Sequence, residues 1–276
     1  MIATLDIGAS TTKGILADES LRIIGKSLVT TGDPEVVATY ALKNLLDEFG
    51  SDYKVSIRFV AISGGGSRFI GQRLLDIPVK RVDEIKAIGL GGLHLTRKPK
   101  GLVVSIGTGT AMVVARENGK DIKHIGGTGV GGGTIIGLSK RMLGIDKFEI
   151  LENMASKGRA EKVDLTVADI VGGPIGMVPA EATASNFGRL NGEAEDNDIA
   201  AAIFNMVSQV IGVVASMAAK AHNLEDDVII VGMLAKSRII SKILHETTDL
   251  FGVKIQIPQD CEYCTALGAA YYASIL

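Results

Sequence analysis

Two related α/β lobes facing each other across a cleft are the architecture this sequence predicts, on three observations. An apolar run ending at Asp6 enters a polar glycine turn and returns as a second apolar run, and the same pattern restarts at Leu102. Strand-like and helix-like segments alternate through each half, as an α/β fold requires. Between the halves, Arg97-Lys-Pro-Lys100 reads as a linker. The predicted division is 1–96 and 101–264, with a closing helix at 265–276 able to pack back on the first lobe.

The elements follow in order. Residues 1–6 and 13–17 read as strands around the turn at Gly8, with a third strand at 21–29. Asp33 and Pro34 open a helix as N-cap and first helical residue. Val36, Val37, Tyr40, Ala41, Leu45 and Phe49 recur at helical spacing, and Gly50 ends the run. A short buried strand at 57–62 runs into Ser63-Gly-Gly-Gly66. In the second half, strands at 102–106 and 111–115 flank the turn at Gly107, and a strand near 121–125 leads into the longest glycine cluster. Helices are predicted at 134–143 and 146–157, the second with capping-box spacing at Asp146 and Glu149. A long apolar helix at 198–222, a strand at 228–231, a helix at 237–250, a strand at 254–257 and a helix at 265–274 complete the chain.

Bulk properties narrow the function. A chain of 276 residues with 46% hydrophobic and 22% charged residues can bury a real core. A net charge of -2 without a Lys/Arg-rich run offers no field for a nucleic-acid backbone. No signal peptide is read at the N-terminus and no apolar stretch of membrane-spanning length, so a cytoplasmic location is the expectation, with neither membrane nor nucleic acid as partner. Cys261 and Cys264 form a single C-x-x-C, two of the four ligands a structural zinc site needs, and read as reduced thiols.

The 34 glycines cluster at 64–66, 107–109 and 126–133, which marks backbone that turns tightly or approaches a ligand. Successive N–H groups in such a turn form an anion-binding concavity, and Ser/Thr hydroxyls add donors. Gly8, Ser10, Thr11 and Thr12 supply one turn; Gly107, Thr108, Gly109 and Thr110 supply a second from the other half. Two facing turns can grip one triphosphate. Asp6 is the candidate magnesium ligand, since magnesium takes one or two carboxylates plus phosphate oxygens and water. Lys13 is a cation for phosphate charge. Gly25-Lys-Ser27 lacks the earlier glycine of a P-loop, where Ser20 stands. Gly127 to Gly132 fits G-x-G-x-x-G, but the βαβ unit with its acidic residue is missing around it.

The order of these segments resembles the type II pantothenate kinases. The likeness is carried by Asp6-Ile-Gly-Ala-Ser-Thr-Thr-Lys13, Ser63-Gly-Gly-Gly66, Asp83-Glu84, Ser105-Ile-Gly-Thr-Gly-Thr110 and Gly126-Gly-Thr-Gly-Val-Gly-Gly-Gly-Thr134. Asp169-Ile-Val-Gly-Gly173, Ala184-Ser-Asn-Phe-Gly188, Val231-Gly232 and Ala266-Leu-Gly-Ala269 continue it over most of the chain. The resemblance implies the two-lobed actin-like ATPase fold, a homodimer, ATP with Mg2+, and transfer of the γ-phosphate to a primary hydroxyl of pantothenate, the first step of coenzyme A biosynthesis. It implies Glu84 as general base and Gly129, Gly131, Gly132 and Gly232 as further nucleotide-binding positions. This chain departs at two acceptor-side positions, with Ala111 where the family carries a substrate-binding serine and His124 where it carries an arginine. Those departures admit a kinase for another hydroxylated metabolite, such as a sugar. The cysteine pair and the opening motif admit an ATP-driven activator or switch protein, and a nucleotide- or coenzyme-A-holding protein without turnover is a further reading.

Overall fold

In a computed structural model of the chain, residues 1–30, 32–49, 57–176, 178–189 and 193–275 are described, with the side chains of 48 and 49 excepted. The first sheet is built by β1 (Ile2–Ile7), β2 (Thr11–Ala17), β3 (Ile23–Thr30), β4 (Val60–Ser63), β5 (Arg73–Leu74) and β6 (Ile77–Arg81), with α1 (Pro34–Phe49) inserted after β3. After α2 (Glu84–Thr96) come β7 (Gly101–Ile106), β8 (Thr110–Arg116) and β9 (Asp121–Thr128), then α3 (Gly132–Leu143) and α4 (Phe148–Ala155). A small hairpin, β10 (Leu165–Thr166) and β11 (Thr183–Ser185), encloses α5 (Val167–Val171). The chain continues as α6 (Asp196–His222), β12 (Val228–Val231), α7 (Arg238–Leu250), β13 (Ile255–Gln256) and α8 (Cys264–Ser274).

The sheet orders are β3-β2-β1-β4-β6-β5 and β13-β12-β7-β8-β9. In each, three consecutive strands form an antiparallel meander, and the first of them takes a parallel neighbour from later in the chain, β4 on β1 and β12 on β7. The internal repeat in the sequence is therefore a repeat of topology, and the turns after β1 and β7 occupy equivalent places. The β5–β6 pair has no counterpart among the sequence expectations. Pro78 interrupts its strand pattern; it pairs with Arg73 on β5 and precedes Val79, where the ladder with β4 begins.

One face of the first sheet buries a stripe of α1. On α1 the core face is Val37, Ala38, Ala41, Leu42, Leu45 and Leu46, while Val36 and Tyr40 are 65% and 56% exposed. The expected stripe is thus rotated. Leu45, common to both stripes, packs into the gap left by Gly14 on β2, where a Cβ would stand 2.9 Å from Leu45 Cδ1. The Gly50 stop falls outside the described residues. The capping box expected at Asp146 and Glu149 does not form; Asp146 pairs with Lys140 at 3.1 Å, and α4 begins later, at Phe148. The expectation of no stretch of membrane-spanning length also needs correction. Among the described residues, α6 does have the length and apolar composition, but Phe204, Val207 and Ile211 on it are fully buried in the second core.

Between the sheets, α2 and α8 cross at contact distance. A Cβ on Gly91 would lie 2.0 Å from the Cys264 carbonyl oxygen, and one on Gly268 would lie 1.8 Å from that of Ala87. On its other side α8 sits on the first sheet, where the Thr4 hydroxyl donates to the Ala266 carbonyl at 2.8 Å. The same two helices therefore connect β1, which carries Asp6 near its end, to Glu84, which starts α2.

Candidate active site

A cavity of about 780 Å³ opens where the β1–β2 and β7–β8 turns converge. Asp6 is the penultimate residue of β1, and the antiparallel register sets it opposite Lys13 on β2. Both side chains are buried, with Nζ 3.6 Å from Oδ2. Burial pushes the Asp6 carboxyl above its ordinary value, and the Lys13 ammonium offsets part of that shift. Gly64, at φ 83°, lies directly beneath: a Cβ there would be 2.7 Å from Asp6 Oδ1 and 2.6 Å from the Ile7 carbonyl oxygen. Only glycine accepts both that dihedral and that approach.

The first turn closes by the Gly8 N–H donating to the Thr11 carbonyl at 3.1 Å. Gly8, Ser10, Thr11 and Lys13 line the cavity. Thr12 does not; side chains alternate along a strand, and Thr12 is fully buried on the other face. The second turn closes by the Gly107 N–H on the Gly109 carbonyl at 2.8 Å, and Gly107, Thr108, Gly109 and Thr110 all line the cavity. Ser10 Oγ and Thr108 Oγ1 meet at 2.8 Å, so the two turns touch.

The long glycine cluster also supports the second turn. Gly132 and Gly133 border the cavity, but their N–H groups donate at 2.9 Å to the carbonyls of Gly107 and Thr108. Gly131 is pressed under the same turn, where a Cβ would be 2.7 Å from the Thr108 oxygen. Gly129 and Gly131 do not line the cavity. The cluster is thus a strut for the second turn, completed by the Thr110 hydroxyl donating to the Val130 carbonyl at 2.8 Å.

Glu84 enters from α2. Asp83 caps the helix, its carboxylate accepting from the Lys86 N–H at 2.9 Å, which leaves Glu84 as the first helical residue with its side chain in the cavity. Desolvation by the surrounding wall pushes the Glu84 carboxyl up, and the negative charges of Asp6 and Asp83 add to it against the opposing Lys13. The side chain remains open to water, which screens these interactions.

Ala111 lines the cavity, whereas His124 is exposed and does not. A bulge at Ile125 shifts the β8–β9 register, so that Met112 pairs with Gly126 and Val113 with His124, and His124 stands two residues farther along β8 from the turn than Ala111. Gly232, at φ 99°, lines the cavity with Met233 and Leu234. Sequence reasoning missed Ile88, Ser105, Gly133, Ile136, Gly137 and Phe148, which also line it. The helical periodicity of α3 carries a signal for Ile136; nothing local singles out Phe148. The Ala184–Gly188 motif lies elsewhere, fixing the β10–β11 hairpin to α6. Buried Asp164 accepts there from the Phe187 N–H and from Asn205 Nδ2, both at 2.8 Å.

Cys261 and Cys264 are both buried and unbonded to each other. Burial pushes the Cys261 thiol up to about 11 and the Cys264 thiol higher still, so both are neutral thiols. Among the described residues no three His, Cys, Asp or Glu side chains gather as a metal cluster.

The Fumble family model matches residues 99–270. A type II pantothenate kinase of Bacillus anthracis is 30% identical over 231 residues, 80% of this chain and 83% of the relative. Among solved structures, component A of the (R)-2-hydroxyglutaryl-CoA dehydratase of Acidaminococcus fermentans aligns at a TM-score of 0.71 and 20% identity, over 100% of this chain and 98% of that one. The activator of the 2-hydroxyisocaproyl-CoA dehydratase from Clostridium difficile, with bound ADPNP, aligns at 0.70 and 17%, over 99% and 94%. Likeness at that identity carries the fold alone, and it is the expected two-lobed actin-like ATPase fold.

Proposed function

The chain belongs to the type II pantothenate kinase family, and we propose that it transfers the γ-phosphate of ATP to the primary hydroxyl of pantothenate. The observation that supports this most directly is the convergence of two equivalent strand–turn–strand units on one cavity that also holds Asp6, Lys13 and Glu84. The turns grip the phosphates. Lys13 neutralises their charge, and the apolar slot of Ile136, Phe148 and Leu234 suits the nucleotide base.

Magnesium fits the donor set. Asp6 is a buried carboxylate whose charge Lys13 compensates only in part, and the site offers few further protein ligands, as magnesium shared with phosphate oxygens and water requires. Asp6 would hold the ion, which supplies charge neutralisation on the phosphates. Glu84 accepts the proton of the acceptor hydroxyl while that oxygen bonds to the γ-phosphorus and the bond to the β-phosphate oxygen breaks, releasing ADP. Its raised affinity for protons brings it nearer the operating pH, where a general base works best.

Lobes at 1–96 and 101–264, with α8 returning to the first, belong to the same proposal, as does a cytoplasmic homodimer, which light scattering tests. A second reading, a kinase for a sugar or related alcohol, is favoured by the methyl group that Ala111 presents to the cavity. ADP release from Mg-ATP, with pantothenate, with a panel of sugars and with no acceptor, decides between them. Release dependent on pantothenate supports the first reading; release dependent on another acceptor, or on none, overturns it.

A further inference from the structure

We propose that Ser105 is a hydrogen-bonding contact for the acceptor molecule and so sets acceptor specificity. The inference rests on the kinase reading above and deepens it.

The position follows from the register. The α2 helix covers the face of the second sheet that carries Val103 and Ala115: a Cβ on Gly92 would be 2.5 Å from Val103 Cγ2, and one on Gly89 would be 3.4 Å from Ala115 Cβ. Alternation along β7 puts Ser105 on that same face, and its cross-strand partner Ala111 lies there too. Successive turns of α2 towards its N-terminus lead from Gly92 to Ile88 and then to Glu84. Glu84, Ile88, Ser105 and Ala111 thus form one wall of the cavity, and all four line it.

Within that wall the chemistry is uneven. Glu84 is the base, and Ile88 and Ala111 present only carbon. Ser105 has the one neutral polar side chain of the four. Elsewhere in the cavity the hydroxyls of Ser10 and Thr108 hold each other, and that of Thr110 holds the Val130 carbonyl. Among the described residues the Ser105 hydroxyl makes no hydrogen bond, and it is the one half-buried side chain on a strand otherwise fully buried. A hydroxyl can both donate and accept, so its complement is a neutral polar group, a hydroxyl or an amide, on the acceptor beside the reacting oxygen.

The test is steady-state kinetics of Ser105→Ala against the wild type, varying acceptor and ATP separately. Loss of one hydrogen bond raises the acceptor KM about 5- to 10-fold. The ATP KM and the Tm stay unchanged. Ala111→Ser in the Ser105→Ala background returns a hydroxyl to the neighbouring position and recovers part of the loss. An acceptor KM within twofold of the wild type overturns the role of Ser105 while leaving the kinase reading standing. A parallel rise in the ATP KM or a fall in Tm shows a structural role and overturns it too. If the wild type releases ADP with no acceptor in the panel, the kinase reading falls and this proposal falls with it.

Discussion

Ser10 and Thr108, 98 residues apart and on turns from opposite halves of the chain, share a hydrogen bond of 2.8 Å across the mouth of the cavity. No phosphate fits between two hydroxyls at that distance, so the turns must separate before a triphosphate lies between them. A disulfide in their place holds the mouth shut. The Ser10→Cys, Thr108→Cys double variant, oxidised, is expected to lose ATP binding by tenfold or more and to regain it with dithiothreitol. The native thiols are buried and do not compete for the new pair. Unchanged ATP binding by the fully oxidised variant, measured with a fluorescent nucleotide, would show that the cavity fills without the turns parting.

Glu84 carries the second prediction. Glu84→Gln keeps the shape and removes the base, so turnover falls about 10²- to 10⁴-fold while ATP binding persists. The variant also loses a negative charge beside Asp6 and Asp83, so its Tm does not fall. The pH dependence has a definite sign. Glu84 must be deprotonated to act, and its affinity for protons is raised above the ordinary glutamate value of 4.5. Activity therefore declines as pH drops through a value above 4.5, and the Gln variant lacks that acidic limb. Wild-type turnover after the substitution removes Glu84 from the chemistry.

Much of this site is legible in the sequence because strand, turn and returning strand are local. The register that faces Lys13 with Asp6 follows from the two-residue alternation of β1 and β2 once the turn is placed. Longer-range features escape. The glycine cluster announces close backbone approach, but not that Gly131 approaches the protein's own turn at Thr108. A bulge of one residue, Ile125, sets the register that places His124, and nothing in its composition marks it. Ser105 reads as an ordinary strand residue until α2 is seen lying on its face.

The two cluster glycines expected at the nucleotide that do not line the cavity make a paired test. Gly131→Ala puts a Cβ 2.7 Å from the Thr108 oxygen and 2.8 Å from Gly109 Cα, backbone atoms that cannot swing aside. The second turn must shift, which costs about 1–3 kcal/mol of stability, and the ATP KM rises at least tenfold. Gly129→Ala meets nothing within 4 Å. Its ATP KM stays within twofold. Equal effects from the two substitutions would contradict the strut assignment.

The α2–α8 crossing predicts a larger penalty. At Gly268 an added Cβ would lie 1.8 Å from the Ala87 oxygen and 2.7 Å from the Gly91 nitrogen. Gly268→Ala therefore forces the helices apart, with a stability loss at or above the upper end of the roughly 1–3 kcal/mol typical of overpacking. Because Glu84 opens α2, turnover in the folded fraction falls as well. A urea melt with the wild-type midpoint would mean the helices re-seat without strain.

The cysteine pair separates the kinase from an ATP-driven activator or switch protein. Metal held by this pair needs thiolates. Here Cys261 is held near 11 by desolvation and by the adjacent Glu262 carboxylate, and Cys264 lies against the Ile88 carbonyl at 3.6 Å. Both should resist a thiol reagent in the native protein at about pH 7.5 and react fully after unfolding in guanidinium. Protein purified without oxygen should be colourless. Rapid labelling of either thiol in the native state, or brown protein with bound iron, would favour the activator reading over the kinase.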